Sequence, residues 1–489
     1  MGVQAVGSLC GVVMSDFQGL LSRAAEAANL ILEEASRESN FLVVSHFDAD
    51  GLAAAGIMGK ALARLDASMH LRVVKQLDGE VISECRSEDS DVTIFTEIGS
   101  GYLDAIRNSF SGKKTIILDH HPPSGRLDPG IVHVNPHPFG FDGATEVSGA
   151  GIAYFAARSL AEANVDLSTL AVVGALGDMQ DKGTRRSLHG LNEKIVEDGL
   201  KKGLLETATD LVFYGRETRP IHRALAYTTT PFLPEISGEE DKCLALLASN
   251  GIQVKHEDKW RTVKDLSNDE KQRLLSKIIE VVSSKGLSGH AALELIGTVY
   301  TLVQEESSTP TRDAREYASL LNACGRMDRS GLAVSICLGD RGTVMEEVQR
   351  VLAEYRRTLA QYIGWLTEKP DTIKELQGMY YIRGDDFLNE NMTGALSSIL
   401  STSGLFKTEK AIMVLARTKK GEIKVSARAS DWLVERGVNL GAALQAIAEK
   451  CSGIGGGHNV AAGAQIPEEK REDFIKLLDA AIYSQIKAE

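Results

Sequence analysis

The sequence predicts an α/β protein, with a mostly parallel sheet in its first domain and a smaller mixed α/β domain at its end. Apolar strand runs alternate with helical patterns between residue 16 and about 235, which is typical of βαβ units. A largely helical stretch covers about 240–305, and a long helical pattern at about 343–366 is typical of a connector between domains. From about 375 onward, strands and helices alternate again.

The elements follow from runs and periodicity along the chain. Strands are predicted at FLVVS (41–45), RVVK (72–75), VTIF (92–95), TIIL (115–118) and LAVVG (170–174), with helices at about 52–66 and near 147–163. The clearest amphipathic helix is LSNDEKQRLLSKIIEVV (266–282), and MYYIR, AIMVLA and IKVSAR are predicted strands of the last domain. Because 489 residues are too many for one core, we predict four regions. They are a first α/β domain (1–236), a largely helical insertion (237–306), the rest of the first region with the connecting helix (307–370) and a last mixed α/β domain (371–489).

Composition and charge exclude several classes of protein. No stretch approaches the roughly 18 apolar residues of a membrane span, and the first residues lack the basic start of a signal peptide. The six cysteines are scattered without a CxxC pair, which argues against a disulfide scaffold or a zinc finger and predicts a cytoplasmic location. The net charge of −13 argues against a protein that coats nucleic acid nonspecifically. The segment from Lys407 to Arg428 contains seven basic and only two acidic residues. Such a basic segment is either a solvated hairpin or a local contact to backbone phosphates.

Two stretches place metal-ligand side chains where predicted strands end. His46, Asp48 and Asp50 follow the first strand at alternate positions, so they converge on one side, and Asp119-His120-His121 follows TIIL. Taken alone, Asp50 would also be a good N-cap for the next helix, and adjacent histidines also occur on solvated surfaces. Because the carboxyl ends of parallel strands meet at one edge of the sheet, the two stretches together predict a binuclear metal site.

Two further carboxylates extend this pattern. Glu97 follows the predicted strand VTIF, and Asp178 follows the apolar run LAVVG. Each of these two residues alone is weak evidence for a metal site, because acidic residues are common in loops. As additional members of the same edge, they complete a set of oxygen and imidazole ligands.

A glycine-rich stretch, Gly453–His458, lies far along the chain from these motifs. It is not a dinucleotide fingerprint, because a helical segment rather than a strand precedes it and its spacing differs. We predict that its backbone N–H groups turn inward into an anion-binding nest, with a plain tight turn as the alternative. Upstream, the alternation of IKVSAR points Lys424, Ser426 and Arg428 to one face, where Arg428 can bind a phosphate with its planar fork.

Together, these motifs resemble the DHH phosphoesterase superfamily and its DHHA1 domain. The triplet Asp119-His120-His121 resembles the motif that gives the superfamily its name, and KVSAR with the GGGH stretch resembles DHHA1. The stretch Asn322-Ala-Cys-Gly-Arg326 resembles that of RecJ single-strand exonucleases. The segments NPHPFGFDG, VSGAGIAY and ERGVNLGAAL resemble the archaeal RecJ-like group, most closely its GINS-associated nuclease branch, and the resemblance covers nearly the whole chain.

The resemblance implies two divalent metal ions, Mn²⁺ first and Mg²⁺ as the alternative, because oxygen-rich ligation with only two imidazoles suits these ions. The implied ligands are His46, Asp48 and Glu97 for one ion and Asp50, Glu97, His120 and Asp178 for the other.

Two implied catalytic roles lie outside this ligand set. Asp119 is expected to orient His120, and His121 is expected to face the substrate phosphate. Where the family usually has Asp, this chain has Glu97, which reaches one methylene further. The residues implied to bind the substrate are Asn322, Arg326, Ser426, Arg428, Gly455, Gly456, Gly457 and His458.

The resemblance implies a two-metal exonuclease acting on single-stranded DNA or RNA, in DNA replication or repair. It leaves polarity, sugar preference and oligomeric state open. One alternative is a DHH phosphoesterase that acts on short oligonucleotides or nucleotides. Another is a replisome scaffold with weakened catalysis that binds the GINS complex or another replication protein, which the unusual Glu97 brings into consideration.

Overall fold

The computed structural model describes residues 15–228, 231, 233, 235–284, 290–403 and 406–487, so the predicted absence of a signal peptide concerns residues outside it. The chain divides into two compact units. The first takes in the chain up to His46, Asp50–Asp181 and Leu188–Lys202, and the second takes in Phe47–Ala49, Lys182–Ser187 and the chain from Gly203 onward. In the described part of the chain, no helix is both long enough and apolar enough to cross a membrane.

The first unit is built on a five-stranded sheet in the order β2-β1-β3-β4-β5, in which every neighbouring pair is parallel. The three middle strands are almost entirely buried, as expected for a parallel sheet covered by helices. The predicted parallel sheet is therefore confirmed. Its strands are β1 (Phe41–His46), β2 (Met69–Val74), β3 (Val92–Thr96), β4 (Lys114–Leu118) and β5 (Ile131–Val134).

Seven α-helices belong to the described part of this unit, and one of them corrects the sequence analysis. The run LAVVG is not a strand but lies inside α6, which packs between α5 and α7. A helix buried on every side has no polar face, so its apolar run resembles a buried strand. The helices are α1 (Phe17–Ala35), α2 (Ala49–Ala63), α3 (Gly79–Ser87), α4 (Leu103–Ser109), α5 (Gly149–Leu160), α6 (Ser168–Gly177) and α7 (Leu191–Lys201).

The second unit begins with a largely helical region that has its own apolar core. The predicted amphipathic helix is α10, and the predicted connector is α14. Strands β6 (Leu205–Leu211) and β9 (Ile296–Leu302) pair antiparallel, as do β7 (Lys255–His256) and β8 (Lys259–Trp260). The helices are α8 (Ile221–Tyr227), α9 (Glu240–Ser249), α10 (Asn268–Ser284), α11 (His290–Leu293), α12 (Ala314–Arg326), α13 (Ser330–Leu338) and α14 (Thr343–Glu368).

The end of the second unit is a mixed six-stranded sheet in the order β10-β11-β12-β13-β15-β14, with one parallel pair, β11 and β12. Helices pack against this sheet through two apolar clusters, which confirms the predicted mixed α/β domain. The domain boundaries at 236, 306 and 370 stay predictions. The elements are β10 (Ile373–Glu375), β11 (Met379–Arg383), β12 (Ala411–Arg417), β13 (Ile423–Arg428), β14 (Ile454–Gly457), β15 (Ala461–Ile466), α15 (Thr393–Thr402), α16 (Asp431–Glu435), α17 (Leu440–Lys450) and α18 (Arg471–Lys487).

Candidate metal centre

The candidate site of the first unit lies where β1, β3 and β4 end. His46 is the last residue of β1, Glu97 follows β3 and Asp119-His120-His121 follows β4. Carboxyl ends of parallel strands share one edge, which brings these side chains together. Glu97 has a φ of 60°, a left-handed backbone conformation that is uncommon for a residue other than glycine.

Asp50, Glu97 and His120 form a buried cluster at this edge. Each offers one ligand atom, and the three atoms lie within 4.8 Å of one another. The Nε2 atom of His120 lies 3.8 Å from a carboxylate oxygen of Asp50, of Glu97 and of Asp178 alike. Two ligands that each lie about 2.1 Å from one Mg²⁺ ion are about 3–4 Å apart, so this spacing fits a shared cation.

Glycines let the carboxylates approach the backbone of the neighbouring helices. A Cβ atom on Gly149 would lie 2.6 Å from Cβ and Cγ of Glu97, and one on Gly174 would lie 2.4 Å from Oδ1 of Asp50. Asp50 accepts hydrogen bonds from the backbone N–H groups of Gly149 (2.6 Å) and Ala150 (3.0 Å), at the start of α5. Asp50 lies inside α2 rather than before it, so the alternative that it caps this helix does not hold.

The two histidines have different hydrogen-bond partners. His120 Nδ1–H donates to the carbonyl of Gly143 at 2.6 Å, which turns Nε2 toward the carboxylates. Asp119 instead accepts from Nδ1 of His121 at 2.9 Å, together with the backbone N–H groups of His120 and His121. The role of Asp119 in orienting His120 stays a prediction. Its side-chain contact with an imidazole ring in this turn is with His121.

The charges of the cluster act on one another. Burial opposes the ionisation of Asp119, but the adjacent His121 lowers its pKa overall. Burial alone would lower the pKa of His120, whereas the nearby carboxylates of Glu97, Asp178 and Asp50 raise this pKa well above its usual range. Without a metal, protons on the imidazoles compensate the carboxylates. Metal binding displaces such protons, so the donor set fits a divalent cation.

The other predicted residues lie around this cluster. His46 Nδ1 is 2.9 Å from Oε2 of Glu97. Asp178 directly follows α6, with a quarter of its side chain exposed, and the similarly exposed His121 has Nε2 at 3.9 Å from Oε1 of Glu97. Asp48 lies between β1 and α2, in the segment Phe47–Ala49, which groups with the second unit.

Gln180, which the sequence analysis did not single out, connects two members of the cluster. Its Nε2 group donates to Oδ2 of Asp178 and to the carbonyl of Gly143, both at 2.9 Å. The same carbonyl accepts from His120. Nδ2 of Asn192 donates to Oε1 of Gln180 at 2.7 Å, which settles which way the Gln180 amide faces. Gln180 is fully buried, and its position two residues after Asp178 was the only signal in the sequence.

Two residues predicted to contact the substrate lie on α12 of the second unit. Oδ1 of Asn322 accepts a hydrogen bond from the backbone N–H of Ala49 at 3.1 Å. Nη1 of Arg326, the last residue of α12, donates to the hydroxyl of Tyr355 at 3.1 Å. Asn322 therefore also supports the turn that follows Asp48, whereas Arg326 is held by a neutral partner.

Ser426 and Arg428 lie on β13 and both contact α15. The hydroxyl of Ser426 is 2.8 Å from that of Thr393, and Nε of Arg428 donates to the hydroxyl of Ser398 at 2.9 Å. Part of the basic hairpin is engaged in ion pairs, such as that of Lys410 with Glu375 at 2.8 Å.

The glycine-rich stretch is an edge strand, β14, and not the predicted nest. Of its residues, only Gly457 has a positive φ, 136°. The glycines allow α17 to pack closely, because a Cβ atom on Gly455 would lie 2.7 Å from the carbonyl oxygen of Leu444, and one on Gly441 would lie 2.2 Å from that of Gly457. His458 begins the turn after the strand.

Comparison with known proteins relates this architecture to others. The family model described as the DHH-CID domain matches residues 213–296, and that described as the DHHA1 domain matches residues 381–484. An uncharacterized protein of Methanocaldococcus jannaschii, MJ0831, is 33% identical over 453 residues, which cover 91% of this chain and 94% of that protein. The single-stranded-DNA-specific exonuclease RecJ of Thermus thermophilus is 28% identical over 247 residues, 46% of this chain but only 35% of RecJ.

Two solved structures show the same fold. RecJ of Thermus thermophilus in complex with Mn²⁺ aligns with a TM-score of 0.58 at 20% identity, covering 94% of this chain and 55% of RecJ. CDC45 of Entamoeba histolytica aligns with a TM-score of 0.62 at 12% identity, covering 94% of this chain and 99% of CDC45. With the strand-end cluster, the two matched domains and a relative along almost its whole length, this chain belongs to the RecJ-like proteins of the DHH/DHHA1 phosphoesterase superfamily.

Proposed function

We propose that this protein is a metal-dependent exonuclease that hydrolyses phosphodiester bonds of single-stranded DNA or RNA. The observation that carries the proposal is the buried cluster in which one imidazole nitrogen is 3.8 Å from each of three carboxylate oxygens. So many carboxylates around one buried nitrogen need cations to balance them. The likeness in sequence to RecJ, whose name specifies single-stranded DNA, supports the substrate class.

Two divalent ions, Mn²⁺ or Mg²⁺, would occupy the centre. Bound there, they would activate a water nucleophile and stabilise the attacking and leaving oxygens of a phosphodiester. His121 would donate from Nε2 to a phosphate oxygen, while Asp119 accepts from its Nδ1. The proposed ligands are His46, Asp48 and Glu97 for one ion and Asp50, Glu97, His120 and Asp178 for the other.

The second unit would hold the strand. Arg428→Ala and His458→Ala are expected to weaken binding of single strands by roughly 10- to 150-fold each, the worth of a charge-assisted contact. Metal affinity should stay at the wild-type value. The proposed phosphate contacts are Asn322, Arg326, Ser426, Arg428, the backbone of Gly455, Gly456 and Gly457, and His458.

The deciding experiment is incubation of the full chain with end-labelled single strands of DNA and of RNA, in Mn²⁺, Mg²⁺ or EDTA. Stepwise shortening with either metal and none in EDTA is expected. Strands labelled at the 5′ end and strands labelled at the 3′ end are compared, which shows from which end the protein degrades the strand. Hydrolysis confined to dinucleotides or nucleotides would contradict the exonuclease and favour a phosphoesterase of short substrates.

A second candidate function is a replisome scaffold, which the alignment with CDC45 over almost all of both chains favours, together with Glu97 in place of the family's usual Asp. In this case the helical region of the second unit would bind the GINS complex or another replication or repair protein in the cytoplasm. No hydrolysis of any strand in Mn²⁺, with stable binding of a replication protein, would favour the scaffold.

A further inference from the structure

The helical part of the second unit contains three arginines and three tyrosines that cluster apart from the glycine-rich strand. Tyr214, Arg219 and Tyr227 come from the segment between β6 and the end of α8, whereas Tyr355 and Arg356 lie on α14. Each of these five side chains is partly buried and partly exposed. We call Tyr214, Arg219, Tyr227, Arg326, Tyr355 and Arg356 the Tyr–Arg cluster.

Two guanidinium groups of the Tyr–Arg cluster contact the same pair of rings. Arg356 lies 4.5 Å from the centre of the Tyr214 ring and 5.8 Å from that of Tyr227. Arg219 lies 5.5 Å and 5.2 Å from the same two centres. Arg356 also donates a hydrogen bond to the Tyr214 hydroxyl. Rings and hydroxyls thus hold the planar guanidiniums in place, which reduces the entropy that they lose on binding an anion.

The stem of Arg219 is held by the backbone. Gly215 has a φ of 73°, and a Cβ atom there would lie 2.5 Å from Cδ of Arg219. The glycine therefore lets the arginine lie across the turn. This arrangement directs a cation to the rings without a carboxylate partner.

Charge within the Tyr–Arg cluster is unbalanced. In the part of the chain that the structure describes, Arg219, Arg326 and Arg356 form no ion pair with a carboxylate, whereas nearby Arg216 pairs with both Asp210 and Glu217. Cations that share rings repel each other, and an anion between them would remove that repulsion.

Two acids lie close to the Tyr–Arg cluster. Glu240 accepts a hydrogen bond from the Tyr227 hydroxyl at 2.7 Å and pairs with Arg223, which lies outside the cluster. The other acid, Glu316, does little to balance the arginines of the cluster. Burial raises the pKa of Glu316 to about 7, despite its hydrogen bond from Thr218 and the charge of Arg219. A large fraction of this side chain is therefore neutral near pH 7, and the positive charge of the Tyr–Arg cluster is left for a ligand.

We propose that the Tyr–Arg cluster binds backbone phosphates of the single strand, with Arg219 and Arg356 as contacts additional to Arg326. The inference rests on the proposed function and extends it by a second strand-binding element. Phosphate is favoured over an acidic protein segment because its oxygens match the guanidinium fork and because, among the described residues, tyrosine rings rather than an apolar groove for a peptide surround these arginines.

The test is binding of fluorescein-labelled oligo-dT to the full chain in EDTA, measured by anisotropy at several salt concentrations. Arg219→Ala and Arg356→Ala are each expected to weaken binding by roughly 10- to 150-fold. Each should also reduce the slope of log affinity against log salt by about 0.7, the value for one contact to a single strand. Arg356→Lys, which keeps the charge but not the fork, should fall between wild type and Arg356→Ala.

Arg273→Ala is the matched control, because it removes the same charge from an exposed arginine that pairs with Asp269. It should leave affinity within about twofold. The inference would be overturned if Arg219→Ala and Arg356→Ala both bound oligo-dT with the affinity and salt slope of wild type and unfolded at the same temperature. It would also be overturned if the two variants lost binding to an acidic protein but kept binding to oligo-dT. Because EDTA removes metal from the assay, failure of this site is distinguishable from absence of nuclease activity.

Discussion

The metal centre of the first unit and the Tyr–Arg cluster of the second treat buried acids in opposite ways. At the metal centre, His121 keeps the pKa of Asp119 low, although burial opposes it. Near the Tyr–Arg cluster, burial prevails and raises the pKa of Glu316 to about 7. The first region therefore keeps Asp119 charged beside His121, whereas in the second region Glu316 is partly neutral near pH 7 and offers Arg219 little compensation.

The two regions are also held by different means. Glycines and backbone groups position the metal centre, as Gly149 does for Glu97 and Asp50. Aromatic rings position the guanidiniums of the Tyr–Arg cluster. A close backbone contact allows ligand positions little variation, which suits metal coordination, whereas ring faces tolerate the sliding that a polymer substrate needs.

Loss of a ligand should produce the largest effect. Asp50→Asn and Asp178→Asn each remove a negative charge from around His120 Nε2, and hydrolysis should fall by more than about 100-fold, beyond the loss for an outer partner. Asparagine is chosen for position 50 because its oxygen can still accept one of the two backbone N–H groups that bind Asp50, whereas alanine would leave both unsatisfied. Rates on labelled strands and Mn²⁺ calorimetry provide the measurement.

Asp198→Asn is the control for these variants, because Asp198 lies in the same unit but bonds the hydroxyl of Tyr154. It should keep both activity and metal binding. Full activity of Asp50→Asn and Asp178→Asn in Mn²⁺ would contradict a two-metal centre.

Glu97 tests whether the first region works as a metal centre at all. Glu97→Gln keeps the shape but removes the charge that two ions would share, so most activity should be lost, about 100-fold or more. Glu97→Asp restores the family's usual ligand and should remain active, with an altered preference between Mn²⁺ and Mg²⁺. If wild type is inactive and Glu97→Gln changes neither metal content nor partner binding, the scaffold is the better description.

Gln180 should show a smaller effect, mainly on metal affinity. Gln180→Leu removes the donor shared by Asp178 and the Gly143 carbonyl, and Mn²⁺ affinity should weaken about 10- to 100-fold. The carboxylate introduced by Asn192→Asp would accept from Gln180 Nε2, turn the amide oxygen toward Asp178 and reproduce the loss. Calorimetry of the metal alone measures both variants.

Asn164→Leu controls for loss of a buried amide, because Asn164 bonds Arg64 and the Ala157 carbonyl rather than the metal centre. It should lower stability and leave Mn²⁺ affinity unchanged. Equal Mn²⁺ affinity in wild type and Gln180→Leu would show that Gln180 has only a packing role.

The sequence predicted those parts of the molecule that follow a local rule. Strand-end spacing indicated that His46, Glu97 and His120 would meet, because the edge of a parallel sheet is a local consequence of strand order. No such rule separates helix from strand in the run LAVVG, since a buried helix and a buried strand are equally apolar. The sequence shows that residue 149 is a glycine, but it does not show that this glycine contacts Glu97, because that contact depends on packing between distant segments.

The Tyr–Arg cluster shows the same limit more strongly. Only Arg326 belongs to a recognisable stretch, whereas Arg219 and Arg356 are 137 residues apart and meet through the rings of Tyr214 and Tyr227. The glycine-rich stretch misled for the converse reason. Its local pattern permits a nest, but pairing with β15 and the close approach of α17 extend it into a strand.

The smallest effect should appear in stability, at Glu316. Its pKa rises from 4.5 to about 7 in the folded chain, so between these values the native state binds a proton that the unfolded state has lost. The free energy of unfolding therefore falls as pH rises through this window, by about 3 kcal/mol at 1.36 kcal/mol per unit. Glu316→Gln keeps the oxygen that accepts from Thr218 and removes the titration. It should be nearly neutral at about pH 5 and stabilising at about pH 8 in chemical denaturation. Glu206→Gln on β6, an exposed control, should have the same effect at both pH values. A pH-independent effect of Glu316→Gln would mean that Glu316 stays ionised and pairs with Arg219, and the contrast between the two regions would then fail.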